Sequence, residues 1–507
     1  MLTIRSRRDL SLLLEKQMTA ASTRSGAAPA FEEDIEGRSA LKTYLLEAHG
    51  RMRTDPMAAL QEVASNLGIT VSATDDPGLF TLSLGDVALW LDTSGDTVHR
   101  LYTVGVAKDV DRIHEALVAG TGLLECVWLP PSTLEKLAHH EAARMVLFSL
   151  RHDRRTLRRA PDAEGIDSVT LRFWGPRARE TLDKLRHSEV LPGATSVYSV
   201  RVRIGDDERY CLAEVFHNGK VTAIGTSFAE HERILRFLLD DHNDRTLALE
   251  KARATPRRLA VPVRWMVDDL GYAVARMFSG AEPFRLWGLA EQVSSDSYRV
   301  RAVDLDVGRT AVFEVDRLGV SMELGPRTPA SVAVRYVSAL QYHVNADTQS
   351  DALAPEPLLQ LALPVSHDRG AFKETSGLAE VGRAVLAEAV SQLVRGATHV
   401  SAQGLVEATH GSAGTDALND LARRVMSEAA AYEWRSWMKP VLSPEGRTTW
   451  RFVDPLPVDA SARLRELARL NRAAQQLVGR LAGTGLARWL QLSLFTPDAM
   501  VTPLAEE

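Results

Sequence analysis

Two stretches of the chain, one hundred positions apart, share one outline of apolar and polar residues. Glu214-Val215, Gly219 and Gly225 fall in step with Glu314-Val315, Gly319 and Gly325. Each predicts a strand, a tight turn, a second strand and then a helix. Asn218-Gly219 is a strong hairpin signal, because both residues tolerate positive φ.

An earlier copy begins at Thr54-Asp55-Pro56, a cap followed by proline in the first turn. Leu60, Val63, Ala64 and Leu67 form one helical face, and Gly68 stops it. Phe80, Leu82 and Leu84 alternate with polar neighbours, Gly85-Asp86 makes a turn, and Val87, Leu89 and Leu91 alternate again. A strand at Leu101 to Val104 then reaches Gly105, which stands where Gly225 and Gly325 stand. A helix with Val110, Ile113 and Leu117 on one side closes the unit.

Leu123 to Leu129 reads as a strand. Ser132 with Glu135 is a capping box, and Leu134, Leu137, Met145 and Phe148 recur at helical spacing, which predicts one long helix ending in Arg151, Arg154, Arg155, Arg158 and Arg159. The second unit has strands at Val169 to Phe173, Val200 to Ile204 and Tyr210 to Phe216, a short helix from Pro176, and a closing helix with Ile234, Leu235 and Leu238. After a link at Arg253 to Pro262, the third has a helix opening at Trp265, Met266 and Leu270. Strands follow near Phe284 to Leu289, Tyr298 to Val303 and Ala311 to Val315, and the closing face is Ala333, Tyr336, Val337 and Leu340.

Prolines 355, 357 and 364 mark a boundary. Beyond it three helices (378–395, 400–409 and 415–434) and a hairpin (439–453) follow the order of a winged helix. A last helix spaces Leu467, Leu470, Ala474, Leu477 and Leu481 as 3-4-3-4, the seam of a bundle within the chain or of a self-associating partner helix. The expected fold is α+β: two or three repeated antiparallel sheet-plus-helix units, then a helical, winged-helix-like C-terminal region. The division is 1–50, an N-terminal arm with a short helix; 51–160, 161–252 and 253–352, the three units; 353–457, the helical domain; and 458–507, the last helix.

The order helix, three antiparallel strands, helix resembles the YbjN and type III secretion chaperone class of peptide-binding domains. The residues that carry the likeness are the helix Leu60 to Leu67, the hairpin Phe80 to Leu91 and the helix led by Gly105. The resemblance implies grooves that bind peptide segments of other proteins, and no catalysis.

Length agrees with several domains, since 507 residues exceed one hydrophobic core. A net charge of −6 supplies no global positive field to draw nucleic acid or anionic lipid. Cys126 and Cys211 make neither a disulfide framework nor a metal-binding CxxC spacing, which fits a reducing cytoplasm. No run approaches the ~18 apolar residues that span a bilayer. The Leu10 to Leu14 run after Arg5, Arg7 and Arg8 is too short for a signal-peptide core.

Candidate chemistry is sparse. Neither GxxxxGK[ST] nor a GxGxxG between strand and helix occurs, and Gly479, Gly483 and Gly485 lie at the end of a helical pattern. His139-His140-Glu141 lacks the four-residue spacing that points two histidines at one metal, so it reads as a polar helix face. Asp240, Asp241, His242, Asn243 and Asp244, like Tyr342, His343 and Asn345, read as polar caps at the ends of closing helices. Glu214 and Glu314 read as residues of a solvated strand face. Catalytic residues, metal and cofactors are expected to be absent. The basic run from Arg151 to Arg159 is the candidate site for nucleic acid or an acidic partner, since a helix dipole stabilises only one or two such cations. Arg423 and Arg424 stand among Asp416, Asp420 and Glu428, a poor charge for a duplex.

The expected function is a non-enzymatic protein-binding scaffold, or chaperone-like adaptor subunit, of a bacterial cytoplasmic assembly, with other protein subunits as partners and no membrane. The alternatives are a nucleic-acid-associated subunit of a genome-maintenance or anti-phage defence complex, and an unrecognised enzyme built from residues of different units.

Overall fold

The computed structural model describes residues 4–24, 40–119, 122–153, 157, 168–186, 196–253, 257–344, 363–364, 378–410, 416–442, 448–457 and 459–483, apart from positions 176, 264, 266, 268 and 326. The fold is α+β.

The chain opens with α1 (Arg7–Arg24), β1 (Leu41–Ala48), α2 (Arg51–Thr54) and α3 (Pro56–Leu67). It continues through β2 (Thr70–Ala73), β3 (Leu79–Leu84), β4 (Val87–Asp92), β5 (Val98–Thr103) and α4 (Ala107–Ala119). Asp55 caps α3 by accepting from the Ala58 amide at 3.2 Å, and Gly68 ends it in the left-handed region. Strands β2 to β5 form an antiparallel meander, and β1 returns to lie beside β5.

The next elements are β6 (Leu124–Cys126), α5 (Pro131–His139), β7 (Ala143–Asp153), β8 (Ser168–Trp174), α6 (Ala178–Arg186), β9 (Ser196–Gly205), β10 (Tyr210–Phe216), β11 (Lys220–Gly225) and α7 (Phe228–Arg253). They extend the same sheet, in the order β2-β3-β4-β5-β1-β11-β10-β9-β7-β8. The second edge of β1 is divided: Leu41 to Tyr44 face β11, and Leu46 to Ala48 face β6. The helices α3 and α4 cover one face of the first meander, while α1, α5 and α7 pack on the opposite face.

The third unit repeats the first in its topology. It comprises β12 (Arg257–Pro262), α8 (Leu270–Met277), β13 (Leu286–Ser294), β14 (Ser297–Asp304), β15 (Arg309–Asp316), β16 (Gly319–Leu324) and α9 (Ser331–His343). Its sheet order is β13-β14-β15-β16-β12, followed by the two-residue β17 (Leu363–Pro364). In both sheets the opening strand lies beside the last strand of the meander.

The three glycines mark the same passage from last strand to helix. Gly225 has φ 143°, and a Cβ there would stand 2.3 Å from the Tyr210 carbonyl oxygen. A Cβ on Gly325 would stand 2.7 Å from that of Thr310, again one hundred positions on. A carbonyl at the start of the neighbouring strand excludes a side chain in both copies.

Beyond these units come α10 (Leu378–Val394), β18 (His399–Ser401), α11 (Ala402–His410), α12 (Asp416–Ala431), β19 (Met438–Leu442) and β20 (Thr448–Phe452). The small sheet β18-β20-β19 completes three helices and a hairpin in the order of a winged helix, the name used for this region below. The last helix, α13 (Ala460–Gly483), packs on α10 and β13, where the Trp287 indole N–H donates to the Leu467 carbonyl at 2.9 Å.

Several expectations are corrected. The long helix after Ser132 is a short helix and then β7. His140 turns to extended geometry (ψ 135°), and the run from Met145 to Phe148 forms a strand between β8 and β9. Short apolar runs fit either period, and here cross-strand pairing decides. The N-terminal arm contains α1 and the central β1. The seam residues Leu467, Leu470, Ala474, Leu477 and Leu481 are buried inside the chain, so this face is covered without a second copy.

Leu45 lies at the middle of β1 and is fully buried. Truncating it, Leu45→Ala, is expected to cost about 2–5 kcal/mol. Hydrogen exchange should quicken in both β5 and β11, whereas exchange confined to one of them contradicts β1's role as a common support.

Candidate functional site at the junction of the units

Helix α9 carries Arg335 into the interior, where it joins three carboxylates. Its Nε donates to Glu125 Oε1 of β6 at 2.5 Å, Nη1 lies 3.1 Å from Asp306 Oδ2, and Nη2 donates to Asp304 Oδ2. Nη1 also donates to the Phe284 carbonyl at 3.1 Å. Arg285 holds the other side of Asp306 at 2.6 Å, and His49 Nε2 lies 3.1 Å from Glu125 Oε2. Glu47 pairs nearby with His242 of α7 at 3.2 Å. The network ties the first sheet to the third unit with almost no solvent access.

The environment divides these groups. Burial works against the Glu125 carboxylate, but the charges of Arg335 and His49 and their hydrogen bonds outweigh it and hold its pKa at about 2. Asp306 is pushed up to about 6 by burial, with Glu125 and Glu282 adding to the effect against Arg285. Burial also opposes the His49 imidazolium, yet its hydrogen bond to Glu125 and the charge of Glu47 raise its pKa. Each acid is met by a cation, so the cluster's chemistry is that of a clamp.

A cavity of about 550 Å³ lies between α3, α4 and the C-terminal region from α10 to α13. Leu67, Leu123, Arg395, His399, Arg451 and Arg463 are among its walls. Arg463 donates to the Val394 carbonyl at 3.3 Å; burial, and then the charge of Arg285, lower its pKa to about 10. A second junction packs His217 tilted against Tyr198 (4.3 Å between ring centres) and edge-on to Tyr342 (4.8 Å), and the Tyr342 hydroxyl donates to the Leu129 carbonyl.

The structure disperses the residues singled out in the sequence. Arg151 lies on β7, paired with Asp153 at 3.2 Å and placed over the Tyr198 ring, whereas Arg154, Arg155, Arg158 and Arg159 lie outside the described residues. Glu214 is buried, not solvated: Arg201 and Arg172 hold it at 2.6 and 2.8 Å, and Ser199 donates to it. Glu314 is half-buried on the other sheet beside Arg299. Asp240 to Asp244 lie within α7, which runs on to Arg253, so they are not caps. Asp241 binds Lys136, Arg245 and Thr133. Tyr342 and His343 do end α9, and Asn345 lies outside the described residues.

His139 ends α5, its ring bonded to the Glu135 carbonyl, and His140 faces Phe237. Among the described residues no group of His, Cys, Asp and Glu is arranged to hold a metal ion, and no helix is long and apolar enough to cross a membrane. The Arg335 network escaped the sequence reading. Its directly bonded members lie up to 210 positions apart, and only an arginine on the apolar face of a closing helix could have signalled it.

The MJECL33-like protein family matches residues 1–352. MJECL33, an uncharacterized protein of Methanocaldococcus jannaschii, is 21% identical over 358 residues, which cover 61% of this chain and 86% of that protein. No solved structure matches. The matched region takes in the repeated units and the Arg335 network, and the winged helix lies beyond it.

Arg335→Met leaves three buried carboxylates facing one another. Denaturant unfolding should show a loss of about 3–5 kcal/mol, narrowing relative to the parent protein as acid neutralises them. Undiminished stability contradicts the clamp.

Burial lowers the pKa of His99, His114 and His343 to about 4 and of His217 and His231 to about 3. The unfolded chain therefore takes up more protons below pH 6.5, and stability falls as pH drops from 6.5 toward 4. Each group contributes up to about 1.4 kcal/mol per pH unit, and the raised Asp306 opposes them only between its unfolded value and about 6. The thermal midpoint should decline across this window, and less steeply in His217→Phe.

Proposed function

We propose, for a chain that belongs to the MJECL33-like family, a non-enzymatic role as a protein-binding scaffold: a chaperone-like adaptor subunit that holds other proteins in a cytoplasmic assembly. The observation that carries this reading is the outer face of the winged helix. In DNA-binding helix-turn-helix proteins the recognition helix enters the major groove, and α12 occupies the corresponding place. Its exposed stripe is Asp416, Asp420, Arg423 and Ser427, and Arg423 is paired with Asp420 at 2.9 Å. Such a stripe offers phosphate no net positive charge.

The hairpin beside it leaves Val441 and Leu442 exposed at 38% and 67%. Apolar residues at the end of β19 beside a mildly acidic helix suit a protein surface better than a duplex. The clamps between the units also favour a rigid platform over a site whose parts must move.

Affinity purification of the tagged full chain from its host, with and without nuclease, tests the reading. Co-purifying protein should survive nuclease and be lost in Leu442→Asp, whose thermal midpoint should stay unchanged. If every companion disappears with nuclease, the scaffold gives way to the nucleic-acid reading. In that case the Arg154/Arg155/Arg158/Arg159→Ala variant should lose salt-dependent retention of DNA or RNA.

A further inference from the structure

We infer that the cavity between the first unit and the C-terminal region is a binding site for a small organic anion with an apolar body, a carboxylate or phosphate ester. The inference goes beyond the protein-binding reading and does not depend on it.

The cavity's volume of about 550 Å³ falls within the ~300–1,000 Å³ common to small-molecule sites. Its two sides differ in chemistry. Helices α3 and α4 supply Val63, Leu67 and Ala116, and Leu123 adjoins them. Val63 is buried, but Leu67, Ala116 and Leu123 are only half-buried, so apolar surface remains open there.

The opposite side is basic. Arg395 follows α10, His399 opens β18, Arg451 lies on β20 and Arg463 on α13. Among the described lining residues the acids are Glu62 and Asp454, and Glu62 is already engaged by Arg51. Positive charge is therefore in excess.

The register of the small sheet concentrates that charge. Lys439 of β19 lies directly opposite Arg451 of β20, which lies directly opposite His399 of β18. Residues so paired share one side of a sheet, while the adjacent Trp450 and Val400 are buried on the other. All three basic side chains are exposed. Like charges set directly opposite destabilise a strand pair, and neither Lys439 nor Arg451 has an ion-pair partner among the described residues. An anion held against Arg451 and His399 offsets this repulsion.

Arg463 completes the site from the interior. It is buried and donates to the Val394 carbonyl, and burial and the charge of Arg285 disfavour its cation against the help of Asp306. An anion in the cavity counters both effects, and guanidinium groups match the oxygens of carboxylate and phosphate. The apolar body of the ligand covers Leu67 and Ala116. A nucleic-acid strand could use the basic row but leaves that apolar wall uncovered, so the small anion is the favoured occupant.

The test titrates 8-anilinonaphthalene-1-sulfonate, an apolar anion whose fluorescence rises on leaving water, into the full chain. Binding should saturate at one site per chain, and the thermal midpoint should rise with dye concentration. R451Q should weaken the dye by about tenfold. A116W, which fills the apolar side, should weaken it at least as much, whereas L442D at the end of β19 should not. Octanoate or octyl phosphate should displace the dye, and the stronger of the two names the head group. Octanol lacks the charge and inorganic phosphate lacks the apolar body, so each should compete more weakly by at least about tenfold. Should A116W disturb the fold, displacement from the wild-type chain decides.

Equal binding by R451Q, or displacement by octanol at the concentrations that suffice for octanoate, overturns the proposal. Several weak sites indifferent to Arg451 mean adsorption to the surface and overturn it as well. Displacement by a single-stranded oligonucleotide, lost in R451Q, assigns the basic row to nucleic acid instead.

Discussion

Strand β1 is the constraint around which the first two units are arranged, because both its edges are occupied and all eight of its residues are buried. Three of those residues are polar or charged in a way a core does not tolerate unaided. Lys42 donates to the Gly105 carbonyl at 2.9 Å, Thr43 meets His231 of α7 at 2.9 Å, and Glu47 meets His242 of the same helix. The first partner closes unit one and the other two belong to the helix that closes unit two. A shift of β1 by one residue would send each of these side chains to the wrong face. The register of one strand therefore fixes how two units stand to each other.

The third unit keeps its own opening strand, so another device has to join it to the first sheet. Arg335, with Glu125, Asp304 and Asp306, is that device, and the ring cluster around His217 and Tyr342 is its neutral counterpart. A well-packed apolar contact could match the ionic cluster in stability. What the ions add is intolerance of misalignment, since sliding α9 would leave several buried charges without partners. In this protein the charged junction is read as a device for orientation, and the protein-binding proposal depends on orientation more than on stability.

The sequence carried the hairpins and closing helices well, because alternation, Asn218-Gly219 and the spaced glycines are local signals. It did not carry β1. Leu41 to Ala48 shows no alternation, being buried on both faces, and its polar residues make sense only beside Gly105, His231 and His242. Glu214 was misjudged for the same reason: its neighbours along the strand say nothing of Arg201 across it. β7 was mistaken for helix because Met145 and Phe148 satisfy a three-residue spacing as readily as a strand. The winged-helix order was legible from element lengths alone. The ionic junction was not, since no local pattern links residue 125 to residue 335.

The two edges of the third unit's sheet have different fates, and this bears on how the winged helix relates to the rest. At the start of β13 the edge is covered: the Gly288 amide donates to the Phe278 carbonyl, Ser279 bridges Trp287, and Asn471 of α13 donates to the Gly288 carbonyl at 2.9 Å. The region beyond the family match is thus laced to one side of the sheet. The opposite side, at β12, carries the edge that in the first sheet receives a neighbouring unit. Joining two units by strand addition therefore needs no new geometry in this fold, only an opening strand with a second edge to offer, and at β12 the start of that edge is met by β17.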